Sequence, residues 1–225
     1  MSLRVLIVFL IALLALEAEA ATVNLLGRSI EVAIPTGYCE IGPHPAEAEI
    51  VSRTREAIGN SNQILAMFAD CTEREDLRNG NRTMFDNYGL ILAQTPNGQL
   101  RALKGVSRSE YIRVLSGKLG GKGTSIIEAM KKGETRIKQF DSGAHLDEYL
   151  GLLSTDSNGL HVGMLMTLSG DTGKQKPIAG VSGLTVVKEM SISINFYQAY
   201  KTSPDFRGLL THTQSAIASL VRVNN

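Results

Sequence analysis

Ser191-Ile192-Ser193-Ile194-Asn195-Phe196 alternates strictly between polar and apolar side chains. A period of two is the pattern of a β-strand, because successive side chains leave opposite faces of a sheet. Ile192, Ile194 and Phe196 share one side, and Ser191, Ser193 and Asn195 share the other. That division predicts a sheet with one dry and one wet face, which fits antiparallel pairing better than a parallel core. Upstream, residues 182–187 form a second strand, joined to the first around Lys188-Glu189. Further upstream, residues 149–154 and 160–168 read as a hairpin closed by Thr155-Asp156-Ser157-Asn158-Gly159, since Asn-Gly is a strong turn dipeptide. Residues 169–177 read as a polar loop. Downstream, Ser203, Pro204 and Asp205 open a helix, with Ser203 expected at the N-cap and Pro204 at the first helical position. Phe206, Leu209, Leu210, Ile217, Leu220 and Val221 lie on one side of it, with Thr213 between them. This helix is expected to cover the dry face of the sheet.

The first half repeats this grammar. Residues around Val23, then Ser29 to Ile34 beyond the Gly27 turn, read as two short strands, stopped by Pro35-Thr36-Gly37. Residues 46–58 form a helix entered through Pro43 and Pro45, with Gly59 as its C-cap. Residues 63–69 and 88–93 read as strands. Between them Glu73-Arg74-Glu75-Asp76 mixes both signs of charge and is expected to be a solvated turn or short helix. Ser107 and Glu110 have capping-box spacing, and Ser125 and Glu128 repeat it. The result is an α+β protein: a mostly antiparallel sheet flanked by helices, with the last helix packed on it.

Val186-Val187-Lys188-Glu189, the alternating strand after it, and a capped terminal helix ending Val221-Arg222-Val223-Asn224 resemble a PsbP-like domain. So does Val32-Ala33-Ile34-Pro35-Thr36-Gly37-Tyr38, a strand running into a Pro-Gly-aromatic turn. The resemblance implies an α/β/α sandwich and a non-catalytic binding or assembly-supporting role in an envelope or lumen. It transfers no ligand residues, and the 107–133 helical stretch and the charged 72–82 connector depart from a minimal version of that fold.

Composition sets the outer bounds. The 225 residues are 43% apolar and 20% charged, with a formal charge of +1. A chain this apolar and balanced is not intrinsically disordered. It also builds up no field of one sign for nucleic acid or an anionic membrane. Arg4, an unbroken apolar run over residues 5–16, and Ala18-Glu19-Ala20 read in order as a secretory signal peptide. Residues 1–20 are therefore expected to be the leader and 21–225 one α+β domain, periplasmic or secreted, with no membrane span after cleavage. An uncleaved N-terminal anchor is the competing reading. The two cysteines, Cys39 and Cys71, are expected to form a disulfide in an oxidising compartment. Closing a loop of roughly 30 residues stabilises a fold by about 3–4 kcal/mol in the chain-entropy view.

Chemistry-bearing motifs are sparse. His44, His145, His161 and His212 show no metal-ligand spacing, so no metal and no cofactor is expected. His161 and His212 read as surface or boundary residues. His145, with Asp141 four before it and Asp147 two after it, is the best local acid–base candidate. Gly120-Gly121-Lys122-Gly123-Thr124-Ser125 lacks phosphate-loop order, and Gly180-Val181-Ser182-Gly183 misses the nucleophile elbow by one position. Asn81-Arg82-Thr83 is a glycosylation sequon. The function expected is a non-catalytic binding or accessory module for an envelope protein or small ligand. The alternative is a secreted hydrolase using His145 with a nearby carboxylate.

Overall fold

A computed structural model of the chain describes residues 20–120, 144–169 and 175–225. The alternating stretch is strand β9 (Met190–Ala199), at the centre of a seven-stranded, wholly antiparallel sheet. The other strands are β3 (Tyr38–Glu40), β4 (Asn62–Asp70), β5 (Asn87–Gln94), β6 (Ala144–Thr155), β7 (Leu160–Ser169) and β8 (Gln175–Val187). Their spatial order is β3-β4-β5-β9-β8-β7-β6. A separate hairpin, β1 (Ala20–Leu25) and β2 (Arg28–Ala33), pairs only with itself. Four helices complete the described fold: α1 (Ala48–Ile58), α2 (Cys71–Arg78), α3 (Arg108–Gly120) and α4 (Phe206–Asn224).

One side of the sheet is covered by α4 and the β1–β2 hairpin. Ile192, Ile194 and Phe196 of β9 meet Ile217, Leu220 and Val221 of α4, and Ile30 and Val32 of β2 complete this core. Burying an aliphatic side chain of this size contributes about 1.5–3 kcal/mol relative to exposing it. Asn224, in the last turn of α4, stitches the hairpin to the helix. Its side chain accepts from the Glu31 amide (2.9 Å) and donates to the Glu31 carbonyl (2.8 Å), standing in for a neighbouring strand.

The opposite side is also covered. Met67, Leu90 and Leu92 pack with Ile41, Leu77 and Phe85 beneath α1 and α2. Leu160 and Val162 pack against Ile112 of α3. The wet face expected for β9 is thus dry: Ser191 and Ser193 are each 7% exposed and Asn195 is 5% exposed. Hydrogen bonds make this burial tolerable. Tyr111 Oη lies 2.7 Å from Ser191 Oγ, which also donates to Gln94 (2.9 Å). Asn195 donates to the Leu90 carbonyl (3.3 Å) and accepts from Ser182. Short polar side chains on a strand therefore signalled an internal network here, not solvent.

Three further expectations are corrected. The N-cap of α4 is Asp205 rather than Ser203, because its carboxylate accepts from the Gly208 amide (2.9 Å), and Pro204 precedes the cap. The charged run is a short helix, α2, as one of its two expected forms had it, but it is more than a solvated face. Arg74 and Arg78 both bond Glu47 Oε1 (3.1 and 2.6 Å), a carboxylate with no exposed surface, while its other oxygen accepts from Gly42 N. Burial raises the Glu47 pKa, but the Arg78 hydrogen bond, the Gly42 amide and the two guanidinium charges outweigh it, leaving the carboxyl below its usual value. His161 is fully buried rather than superficial, because Gly183 beside it leaves room for Thr213 and Ile217 of α4 to close over the sheet. Ser107 caps α3 as its spacing predicts, its Oγ accepting from Glu110 N (3.2 Å) in the forward half of the capping box.

The leader residues 1–19, the Gly-Lys loop beyond Gly120, the Ser125–Glu128 box, Asp141 and the loop at 170–174 lie outside the described residues.

Candidate binding cleft

Where α4 begins, four adjacent strands present a lateral row of polar side chains on the α4 side of the sheet. Tyr38 of β3 is the register partner of Asp70 of β4, and Asn87 of β5 is the partner of Gln198 of β9. The Ala69–Tyr88 pair sets Asp70 and Asn87 one step further along. With Asp205 and His212 from α4, these residues line a cleft of about 310 Å³.

Aromatic rings form the next row inward. Phe68 and Phe196 flank Gly89 in register. A Cβ at Gly89 would lie 2.3 Å from both the Phe68 ring and the Asn195 carbonyl, so only glycine fits between the two phenylalanines. Their ring centroids are 5.1 Å apart. Tyr38 meets both edge-on, at 5.2 and 5.3 Å. His212 lies nearly parallel to Phe196 at 5.9 Å and edge-on to Tyr38 at 6.1 Å. Of these rings Tyr38 and His212 line the cleft, while Phe68 and Phe196, with no exposed surface, lie behind Tyr38 and hold it in place. The Cys39–Cys71 disulfide, with its partners 32 positions apart, ties β3 to the start of α2 directly behind Tyr38 and Asp70.

The polar wall is held by hydrogen bonds. Asp70 caps α2, accepting from Thr72 N (2.9 Å) and Glu73 N (3.1 Å) through one oxygen. Glu73 in turn accepts from the amides of Asp86 (2.6 Å) and Asn87 (3.1 Å) and from the Asn87 side chain (2.7 Å). Gln198 donates to Asn87 Oδ1 (3.0 Å). Arg82 bridges Glu73 and Asp86, and Lys176 holds Asp86 at 2.5 Å. Burial raises the Asp86 pKa, but Lys176 and Arg82 together pull it below the ordinary carboxylate value. The Tyr38 phenol is pushed up, first by burial and then by the negative charges of Asp70 and Glu73.

The residues singled out from sequence lie elsewhere. His145 is in β6, opposite Thr167 of β7, and Asp147 accepts from Thr167 Oγ1 (2.7 Å). Strand β6 is at the far edge of the sheet from β3, so neither residue joins the cleft. Ser182 sits inside strand β8, bonded to Asn195 rather than raised on a turn. Asn81 of the sequon is exposed. Among the described residues no group of three His, Cys, Asp or Glu is placed to hold a metal ion. None of their helices is long and apolar enough to cross a membrane.

Sequence reading gave Asp205 only a helix-start role and His212 only a surface or boundary place, and it passed over Asn87 and Gln198. Asp205 and His212 are seven positions apart, two helical turns, which puts them along one side of α4. Asn87 and Gln198 each flank a strand identified by its apolar run, but their pairing depends on a register that no local pattern encodes.

No protein-family model matches the chain, and no curated protein matches it either. Among solved structures the chain is similar to cyanobacterial PsbP (CyanoP) from Synechocystis sp. PCC 6803, at 12% identity over 88% of this chain and 91% of that one, with a TM-score of 0.36. It is also similar to the Ran-binding protein Mog1p of Saccharomyces cerevisiae, at 9% identity over 92% and 93% of the two chains, with a TM-score of 0.32. The PsbP-like resemblance read from sequence thus stands as a weak structural likeness, too distant to carry any argument about what this chain binds.

Proposed function

We propose that this protein is an exported, non-catalytic binding or accessory module whose contact point is the cleft at the start of α4. The observation that carries the reading is the preformed wall: four strands contribute one polar row, ordered by the Glu73–Asn87–Gln198 hydrogen-bond chain beside the Tyr38 and His212 rings. Fixed polar groups of this kind set the orientation of a small ligand or a side chain in a cleft. Binding is favoured over turnover because both cleft carboxylates are engaged as helix caps. Export is supported by the disulfide, since such bonds persist in oxidising compartments. The leader at residues 1–20, cleavage after it, and a single α+β domain over 21–225 belong to the same proposal.

Fractionation of the native source tests export, with the processed chain expected in the periplasm or medium. Capture tests the site. The immobilised 21–225 chain and its Gln198→Ala and His212→Ala variants are exposed to the same extracellular fraction, after circular dichroism shows that all three are folded. A component retained by the unaltered chain and lost from both variants supports the reading. Identical retention by all three moves the contact point elsewhere. Turnover on an esterase and peptidase panel that disappears in His145→Ala would replace this reading with a hydrolase.

A further inference from the structure

Resting on the binding reading above, we propose that the cleft takes a cationic hydrogen-bond donor, a guanidinium or primary ammonium group carried on a flexible chain. The argument follows hydrogen atoms. Glu73 is a carboxylate bonded to an arginine and two amides, so it can only accept. That fixes the Asn87 amide, whose NH2 must point at Glu73 and whose oxygen must point at Gln198. The Asn87 oxygen then fixes the Gln198 amide, one of whose two N–H bonds it accepts. The Gln198 carbonyl oxygen, turned the other way, keeps its accepting capacity. A chain of three residues thus determines that this wall of the cleft offers an acceptor.

The other groups agree. Asp70 uses Oδ1 for both α2 amides, and Asp205 uses Oδ1 for Gly208. Each carboxylate keeps a second oxygen, and no hydrogen atom with which to donate. Neither lysine nor arginine lines the cleft among the described residues. Tyr38 and His212 add ring faces and edges beside Phe196, the surfaces on which a guanidinium stacks. The raised Tyr38 phenol, after its burial is counted, registers the same negative field from Asp70 and Glu73. An anion would meet the two carboxylate charges here, with no lysine or arginine of the lining to offset them. A neutral polyol would leave the charge unused. At about 310 Å³ the space admits one long side chain or a small diamine, not a folded surface.

The test is a chemical-shift titration of the 21–225 chain at low ionic strength. The probes are agmatine, cadaverine, the peptide Gly-Arg-Gly, glutarate and glucose. Agmatine, cadaverine or the peptide is expected to move the Gln198 side-chain amide and the Tyr38 and His212 rings, with the response reduced by added salt. Tighter binding of the peptide than of agmatine assigns the natural group to a protein side chain, and the reverse order assigns it to a free amine. Asp70→Asn and Asp205→Asn keep a capping oxygen at each helix while removing the charge, so both variants should fold. Each is expected to weaken the cation by about tenfold. Unchanged affinity in both variants overturns the proposal. So does movement of these resonances by glutarate or glucose with none by the cations, an outcome that leaves the cleft a binding site of another chemistry. Silence to all five probes also overturns it, while the capture experiment continues to judge the cleft independently.

Discussion

Along β9, Ile192, Ile194 and Phe196 turn toward α4, while Ser191, Ser193 and Asn195 turn toward the side that carries α3; both triads are buried. The first side is held by packing, with Phe196 wedged among Phe68, Tyr38 and His212. The second is held by hydrogen bonds that run from Ser182 through Asn195 to the β5 backbone, and from Tyr111 through Ser191 to Gln94. The difference lies in what each side tolerates. A packed side loses stability in proportion to the volume removed, whereas a hydrogen-bonded side loses it according to which partner is left unpaired.

The largest effect should come from the packed side. Phe196→Ala removes a ring with no exposed surface and three aromatic neighbours, and is expected to cost about 3–5 kcal/mol in a urea denaturation series. It should also loosen the cleft, because the same ring supports Tyr38 and His212. A loss below 1 kcal/mol would show that the two sides of β9 do not differ as described.

The hydrogen-bonded side predicts a smaller loss and a rescue. Asn195→Ala strands the Ser182 hydroxyl in a buried position and should cost about 1–3 kcal/mol. Adding Ser182→Ala removes the stranded group, so the double variant should recover part of that loss. Additive losses in the two single variants and the double variant would mean that the bond between them contributes nothing beyond volume.

Much of this contrast was legible in the sequence, and the part that was not has a physical cause. Alternation located β9, and the apolar spacing of Leu209, Ile217, Leu220 and Val221 located the helix that covers it. Each depends on contacts a few residues apart or on a single periodicity. The groups that satisfy Ser191 and Asn195 include Tyr111, Gln94 and the Leu90 carbonyl, all more than 70 residues away, and period two says only that a face is polar. The cleft was hidden for the same reason. Its row of Tyr38, Asp70, Asn87 and Gln198 comes from four strands and exists only once register is set. The Cys39–Cys71 bond was readable because two cysteines allow only one intrachain pairing.

Acid probes the underside of α4 at His161. The ring is fully buried, and among the described residues neither nitrogen meets a partner in good hydrogen-bond geometry; the Asp156 charge and a weak contact with the Ser154 backbone oppose the effect of burial. Burial therefore holds the folded-state pKa below the ordinary 6.5. The unfolded chain takes up the proton first, so stability falls as pH drops below about 6.5 and is fully present above it. His161→Leu should flatten the stability profile in that window. Glu47 and Asp86, whose pKa values are lowered by their cations, would still cost stability in a more acidic range. A profile that His161→Leu leaves unchanged between pH 7 and 5.5 would mean that the ring takes up its proton as readily in the fold as in the unfolded chain.

The smallest effect belongs to the turn that joins β8 to β9, and there it depends on context. Lys188 and Glu189 both adopt left-handed backbone, φ 46° and 62°, without being glycine. That conformation costs about 1 kcal/mol or more per residue for a side chain with a Cβ. Both residues reach the β1–β2 hairpin: Lys188 donates to the Ser29 carbonyl (2.6 Å) and Glu189 pairs with Arg28. An exposed pair of this kind contributes at most about 1 kcal/mol. Glu189→Gly alone should therefore change the urea midpoint little, since relief of strain offsets the lost pair. In an Arg28→Ala background the pair is already gone, and the same Glu189→Gly change should stabilise the protein by about 1 kcal/mol. Equal effects in both backgrounds would show that the strained turn is not held in place by its grip on the hairpin.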